Sequence, residues 1–214
     1  MTDTLELRER ILECAAGEFL SRGFSKVTID EIASKLGISK KTLYKFYRSK
    51  EELLRASLHS MMRSGGWELE RILSSDQSLL EKLAITMVTM GKYISRFRRE
   101  FIVDVQRFAP SIWKEIDRFR QELILSRLLK MIAQAREEGI FRPEVNDQVI
   151  IQMLVNSVQG IINPTVLSSN SFSAEEAARS IFRVLFEGAL TDQARKEFHV
   201  LENPTLFEQQ PIGH

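Results

Sequence analysis

Apolar residues recur at intervals of three and four along almost the whole chain, and alternating patterns are nearly absent. That period belongs to amphipathic helices and predicts an all-α fold. A first helix is predicted over 5–22, with Leu7, Ile11, Leu12, Ala15, Phe19 and Leu20 on one stripe and Gly23 as its stop. Thr28 and Glu31 form a T-x-x-E capping box that opens a second helix. Ile29, Ile32, Ala33 and Leu36 face inward on it, and Gly37 ends it. Ser39 can cap a short third helix over 40–47, and Ser49 with Glu52 opens a fourth over 50–73. Longer helices are predicted near 77–97, 99–108, 111–138, 146–163 and 173–190, with Pro110, Gly139 and Pro164 as punctuation. Segment 164–172 reads as a loop. Segment 191–214 carries Pro204 and Pro211, has little periodicity, and reads as a weakly ordered tail.

The pattern divides the chain. Three short helices occupy 1–55, and the longer helices of 56–190 suit a bundle. Gly65-Gly66 falls inside the fourth helix. It marks a close approach of two helices, an early helix end, or a hinge between the two parts.

Composition bounds the class. The chain has 214 residues, 43% apolar and 28% charged, with a formal net charge of +1. Those fractions fit a globular protein with an ample core. One cysteine, Cys14, allows no internal disulfide and fits a cytoplasmic setting. No basic-then-apolar leader opens the chain and no membrane-length apolar run occurs in it, so no membrane partner is expected.

Taken whole, +1 argues against a nucleic-acid binder, but the charge is unevenly spread. Residues 33–50 carry Lys35, Lys40, Lys41, Lys45, Arg48 and Lys50 with no acid, a local +6. Residues 1–55 sum to +2 and residues 56–214 to −1. The second helix, the Gly37-Ile38-Ser39 turn and the third helix have the order of a helix-turn-helix. In that motif the second helix enters the major groove. Lys40, Lys41, Thr42, Tyr44 and Lys45 would lie outside, with Leu43 and Tyr47 as anchors. A lysine patch on such a motif is an electrostatic footprint for phosphates. The competing explanation is a solvated basic face on an unrelated helical protein.

These residues carry a resemblance. ILECAAGEFLSRGF and TIDEIASKLGISKKTLYKFYRSKEELL resemble the first four helices of the TetR family of bacterial transcriptional regulators. The likeness covers about a quarter of the chain; past residue 56 it is architectural only. It implies an N-terminal helix-turn-helix domain joined by the fourth helix to a helical ligand-binding and dimerisation domain. Carried over residue by residue, it implies that Thr28 holds a backbone phosphate. Ser39, Lys40, Lys41 and Thr42 would open the recognition helix, Tyr44 would donate to a phosphate, and Lys50 would sit near the DNA backbone. Two positions depart from the pattern. Lys41 stands where many members have a small residue, and Phe46-Tyr47 replaces Tyr-Phe or His-Phe. Phe46 cannot bond a phosphate, so Tyr47 supplies that contact or packs in the core.

The resemblance further implies a homodimer, a double-stranded operator and a small-molecule effector of unknown identity. Dimerisation would use the two long helices near 146–163 and 173–190. Candidates on the first are Ile150, Leu154, Val158, Ile161 and Ile162; on the second, Ile181, Phe182, Leu185 and Phe186. The alternative is that these residues fill the core of one chain. Pocket candidates are Met87, Met90, Tyr93, Ile94 and Phe97, then Phe101, Phe108 and Trp113, and finally Met131, Met153 and Gln159. Met and aromatic residues suit a deformable cavity, but at helical spacing they equally suit a core.

No nucleophile elbow, Walker loop or dinucleotide fingerprint occurs, and His59, His199 and His214 share no metal-ligand spacing. No enzyme activity, metal or cofactor is expected. The function expected is a DNA-binding regulator, most simply a repressor released from a palindromic operator by an apolar or amphipathic ligand. The alternative is a helical interaction protein that keeps the fold without binding DNA.

Overall fold

Helix signals in the sequence map onto helices in space. The structure is a computed structural model describing residues 2–201, without the side chains of residues 2–3, 123–125 and 128. In order, the helices are α1 Thr2–Arg22, α2 Ile29–Leu36, α3 Lys40–Phe46, α4 Lys50–Leu73, α5 Leu79–Ser95 and α6 Arg99–Phe108. They continue with α7 Pro110–Glu137, α8 Asp147–Ile161, α9 Pro164–Ser169, α10 Ala174–Ala189 and α11 Asp192–Leu201. The fold is all-α. Its sole departure among the described residues is an isolated bridge between Phe141 and Leu190.

The first three helices close around Ile11, Phe19, Val27, Ile32 and Leu43, all fully buried, and the start of α4 adds Leu53 and Leu54. Gly23 turns the chain after α1 at φ +91°, a conformation that side-chain-bearing residues rarely adopt. The turn is held from outside the head. The Ser25 amide donates to the carboxylate of Asp104, on α6.

Two segments differ from the sequence reading. Residues 164–169 form α9 rather than a loop. Asn163 caps it by accepting from the Val166 amide at 3.1 Å, Pro164 supplies a first-turn residue that needs no amide partner, and Leu167 is buried. Residues 192–201 form α11 rather than tail. Ala194 and Phe198, one turn apart, are buried, with Phe198 at 0% exposure, and α11 packs against α5. Two anchors in ten residues give too weak a period to read. Residues 202–214 lie outside the described residues.

The glycine pair in α4 does not break the helix, which runs unbroken from Lys50 to Leu73. Gly65 instead permits a close approach. A Cβ there would stand 2.8 Å from the ring of Tyr93 on α5, whereas one at Gly66 would meet nothing within 4 Å. Glycine-to-alanine changes in helix interiors usually stabilise by about 1 kcal/mol. We therefore expect Gly66→Ala to raise the melting temperature. Gly65→Ala should lower it, because overpacking costs about 1–3 kcal/mol. Thermal denaturation of the two variants checks the pair.

Candidate nucleic-acid interface and ligand cavity

The head is built from caps. The Thr28 hydroxyl oxygen accepts from the Glu31 amide at 3.2 Å, and the Glu31 carboxylate accepts from the Thr28 amide at 2.7 Å. Arg22 lies 2.7 Å from the same carboxylate. That guanidinium, with the Thr28 bonds, holds the Glu31 carboxyl down at about 2. Gly37 closes α2 at φ +66°, donating back to the Ala33 and Ser34 carbonyls. Ser39 then caps α3 by accepting from the Thr42 amide at 3.0 Å. Ser49 caps α4 the same way, accepting from Glu52 at 3.0 Å. The Glu52 carboxylate goes to the Arg48 amide at 2.7 Å, so the reciprocal half of that capping box does not form.

This scaffold orients α3. Leu43 points into the core at 0% exposure, while Lys40, Lys41, Tyr44 and Lys45 lie outside, with Thr28 and Ser39 exposed beside them. Thr42 is half-buried, its hydroxyl 2.8 Å from that of Ser39. Lys40 is 2.8 Å from Asp30 on α2. Exposed pairs of this kind are weakened by solvent screening, so a phosphate can displace Asp30.

Two candidate contacts are placed differently. Tyr47 is buried at 2% exposure, its hydroxyl accepting from Arg8 at 3.3 Å. It anchors α3 to α1 instead of facing outward with the lysines, because its ring fills the core beside Leu43. Lys50 is half-buried. Its ammonium donates to the Ser25 carbonyl at 3.3 Å and lies 4.5 Å from the centre of the Phe24 ring. Burial pushes its pKa down. In this conformation Lys50 is folded onto the α1–α2 turn.

Deeper in the body, α4, α5, α6, α7, α8 and α10 enclose a cavity of about 90 Å³. Of the pocket candidates, Met90, Tyr93, Ile94, Phe97 and Trp113 line it. The others do not. Phe101 is fully buried in the core, Met131 packs with Ile132 and Ala135 elsewhere, and Phe108 and Met153 are exposed at 51% and 50%. Met87 and Gln159 are half-buried outside the lining.

The lining contains residues the sequence reading missed, among them Met62, Ile102, Phe119 and Arg120. Arg120 had a legible signal. Trp113, Ile116 and Arg120 follow the i, i+3, i+7 spacing that puts all three on one helix face. One Arg120 nitrogen pairs with Asp117 at 2.6 Å, another reaches the Ile162 carbonyl at 3.4 Å, and the guanidinium lies 5.3 Å from the Trp113 ring. Its Nε and the Tyr93 hydroxyl are buried without a hydrogen-bond partner among the described residues. Burial pushes the Tyr93 hydroxyl up to about 12, so it stays protonated.

The interface candidates face inward. Ile150, Leu154, Val158 and Ile162 on or just after α8, and Ile181, Phe182 and Phe186 on α10, are all buried within the one chain. Val158, Ile162 and Phe182 line the cavity, and Ile161 and Leu185 are half-buried. The outward faces of the same helices carry Val149, Met153 and Val184, exposed at 53%, 50% and 71%. The sequence shows a helix apolar nearly all round, and periodicity does not say which arc meets its own chain.

Residues 11–57 match the family model described as bacterial regulatory proteins, tetR family. Over those residues the chain carries a TetR-type N-terminal domain. The chain is 25% identical over 174 residues to the HTH-type transcriptional regulator YvaF of Bacillus subtilis, covering 80% of this chain and 90% of that one. It is 27% identical over 155 residues to the HTH-type transcriptional repressor KstR2 of Mycobacterium tuberculosis, covering 69% and 75%. Among solved structures, a transcriptional regulator from Saccharomonospora viridis in complex with choline superposes with a TM-score of 0.65. That match is 18% identical and covers 87% of this chain and 98% of that one. TetR regulators bind DNA and dimerise. Among the described residues, no helix is long and apolar enough to cross a membrane.

Proposed function

We propose that this regulator is a cytoplasmic, ligand-responsive repressor that holds a palindromic operator as a homodimer. Residues 1–55 act as the reading head and residues 56–190 as the sensing and dimerising body. The observation that carries the reading is the outward row of Lys40, Lys41, Tyr44 and Lys45 on α3, in a stretch of +6 without an acid. Thr28, Ser39 and Thr42 lie beside that row and complete the proposed contact set. Lys50 would join it once a phosphate draws it away from Ser25. KstR2 is a repressor by name, which supports repression as the mode here.

Two recognition helices set one helical turn apart, roughly 34–36 Å, or a multiple of it, would read two half-sites. A ligand can release the operator only by binding more tightly to a state in which that spacing is wrong. The cavity supports such a role, because it touches α4, which leads into the head, as well as α8 and α10. Ligand pockets usually run from about 300 to 1,000 Å³. At about 90 Å³, this one must expand to admit an effector, and the expansion bears on α4.

Titration of labelled promoter DNA across salt concentrations tests the reading. Affinity should fall with a log–log slope of about −0.9 per phosphate neutralised. Lys40→Ala with Lys41→Ala should weaken binding and make the slope shallower by up to about two such contacts. A flat salt response would favour a helical interaction protein instead.

A further inference from the structure

We propose that the cavity takes an apolar chain ending in a carboxylate, whose oxygens accept from Arg120 and Tyr93. The proposal deepens the ligand-responsive reading and rests on it. The described lining is mostly apolar, and two of its residues each have a buried donor without a partner: the Arg120 Nε–H and the Tyr93 hydroxyl. A buried donor left unpaired is destabilising, because it has lost its water without gaining an acceptor. An occupant that brings acceptor oxygens removes both costs. A carboxylate has two oxygens and accepts from several donors, and its bond to a guanidinium is charge-assisted.

The same residues select against a cation. Tyr93, Phe97, Trp113 and Phe119 could form an aromatic cage, the usual means of holding a quaternary ammonium. Here Arg120 already stands 5.3 Å from the Trp113 ring. Among the described residues, no Asp or Glu lines the chamber. Asp117, outside the lining, is held by Arg120. An ammonium group would face a guanidinium and offer no acceptor to the two donors.

The shape indicates a chain. The chamber shares Phe97 and Ala174 with a cleft of about 260 Å³ between residues 95–100 and 171–175. The charges of that cleft, Arg98 and Arg99 against Glu100 and Glu175, balance. Selection by charge therefore falls to Arg120, and the cleft gives an elongated occupant a way in past Phe97. Met62 and Met90 in the lining can rearrange around a chain without a fixed partner shape.

Trp113 reports on the chamber directly once Trp67, exposed at 76%, is replaced by Phe. The Trp67→Phe protein is titrated by fluorescence with decanoate, decanol and decyltrimethylammonium, each kept below its micellar concentration. Decanoate should bind about tenfold or more tighter than decanol, the worth of a hydrogen bond to a charged group. The ammonium should bind weakest. Tyr93→Phe and Arg120→Gln should each shrink the decanoate-to-decanol ratio. Arg120 also holds the end of α8. If Arg120→Gln fails to fold, Tyr93→Phe carries the test, because it removes only a hydroxyl. Equal affinity for decanoate and decanol, or a ratio unchanged by Tyr93→Phe, overturns the proposal. Operator binding without ligand is measured in parallel. Decanoate preference without operator binding would sink the regulator reading and leave this one standing. Operator binding without the preference would do the reverse.

Discussion

Phe186→Ala is expected to destabilise the protein by about 3–5 kcal/mol, the usual cost of truncating a buried phenylalanine. Phe186 is 2% exposed in a single chain. Its ring stacks on Phe182 with centroids 5.9 Å apart and planes 3° from parallel, and it meets Phe141 at 6.3 Å. The loss should appear in chemical denaturation as a lower midpoint, and it should be the same at low and high protein concentration. If Phe186 sat at a subunit interface, the loss would shrink on dilution, because mass action would then dissociate the unsubstituted dimer as well.

The dimer itself should yield to a different pair. Met153→Asp with Val184→Asp places two charges on the outward faces of α8 and α10, where the native side chains are 50% and 71% exposed. Gly160 and Gly188 lie on the same outward arcs, and a Cβ at either would meet nothing within 4 Å, so the helix surface there is open to a partner helix. The double variant is expected to sediment as a monomer with unchanged helical content. Its affinity for a full palindrome should fall by roughly 10²–10⁴-fold, because the second half-site contact is no longer intramolecular. An unchanged sedimentation coefficient would move the interface elsewhere.

The two variants mark where sequence reading stops. Periodicity and caps suffice for the head: Thr28, Gly37 and Ser39 each do in space what their residue types dictate, and Leu43 is the anchor its spacing implies. The departures there come from competition between roles. Tyr47 can serve a phosphate or a core, and volume decides for the core. Lys50 can reach outward or back, and the Phe24 ring with the Ser25 carbonyl holds it back. In the body, α8 and α10 are apolar on more than one arc, so hydrophobicity alone does not separate core, cavity and interface. Phe182, Val158 and Ile162 were read as interface and line the chamber instead. Arginines are ordinarily solvated, yet the spacing of Arg120 from Trp113 and Ile116 puts it on the inner face. The helix at 192–201 is hard to read because only Ala194 and Phe198 anchor it, too few for a clear period.

The bond from the Ser25 amide to Asp104 bears on how the molecule comes apart. The compositional border at residue 55 suggests two units that could melt in turn. Yet Asp104 of α6 grips the turn between α1 and α2, Lys50 returns to the same turn from α4, and Arg55 on α4 reaches Glu115 on α7 at 3.0 Å. Two of these ties, from Asp104 and from Glu115, cross the border, and the Asp104 and Lys50 bonds converge on one residue, Ser25. Head and body should therefore lose their structure together, in one cooperative transition. A mutation that loosens the chamber would then also lower the stability of the surface that reads DNA.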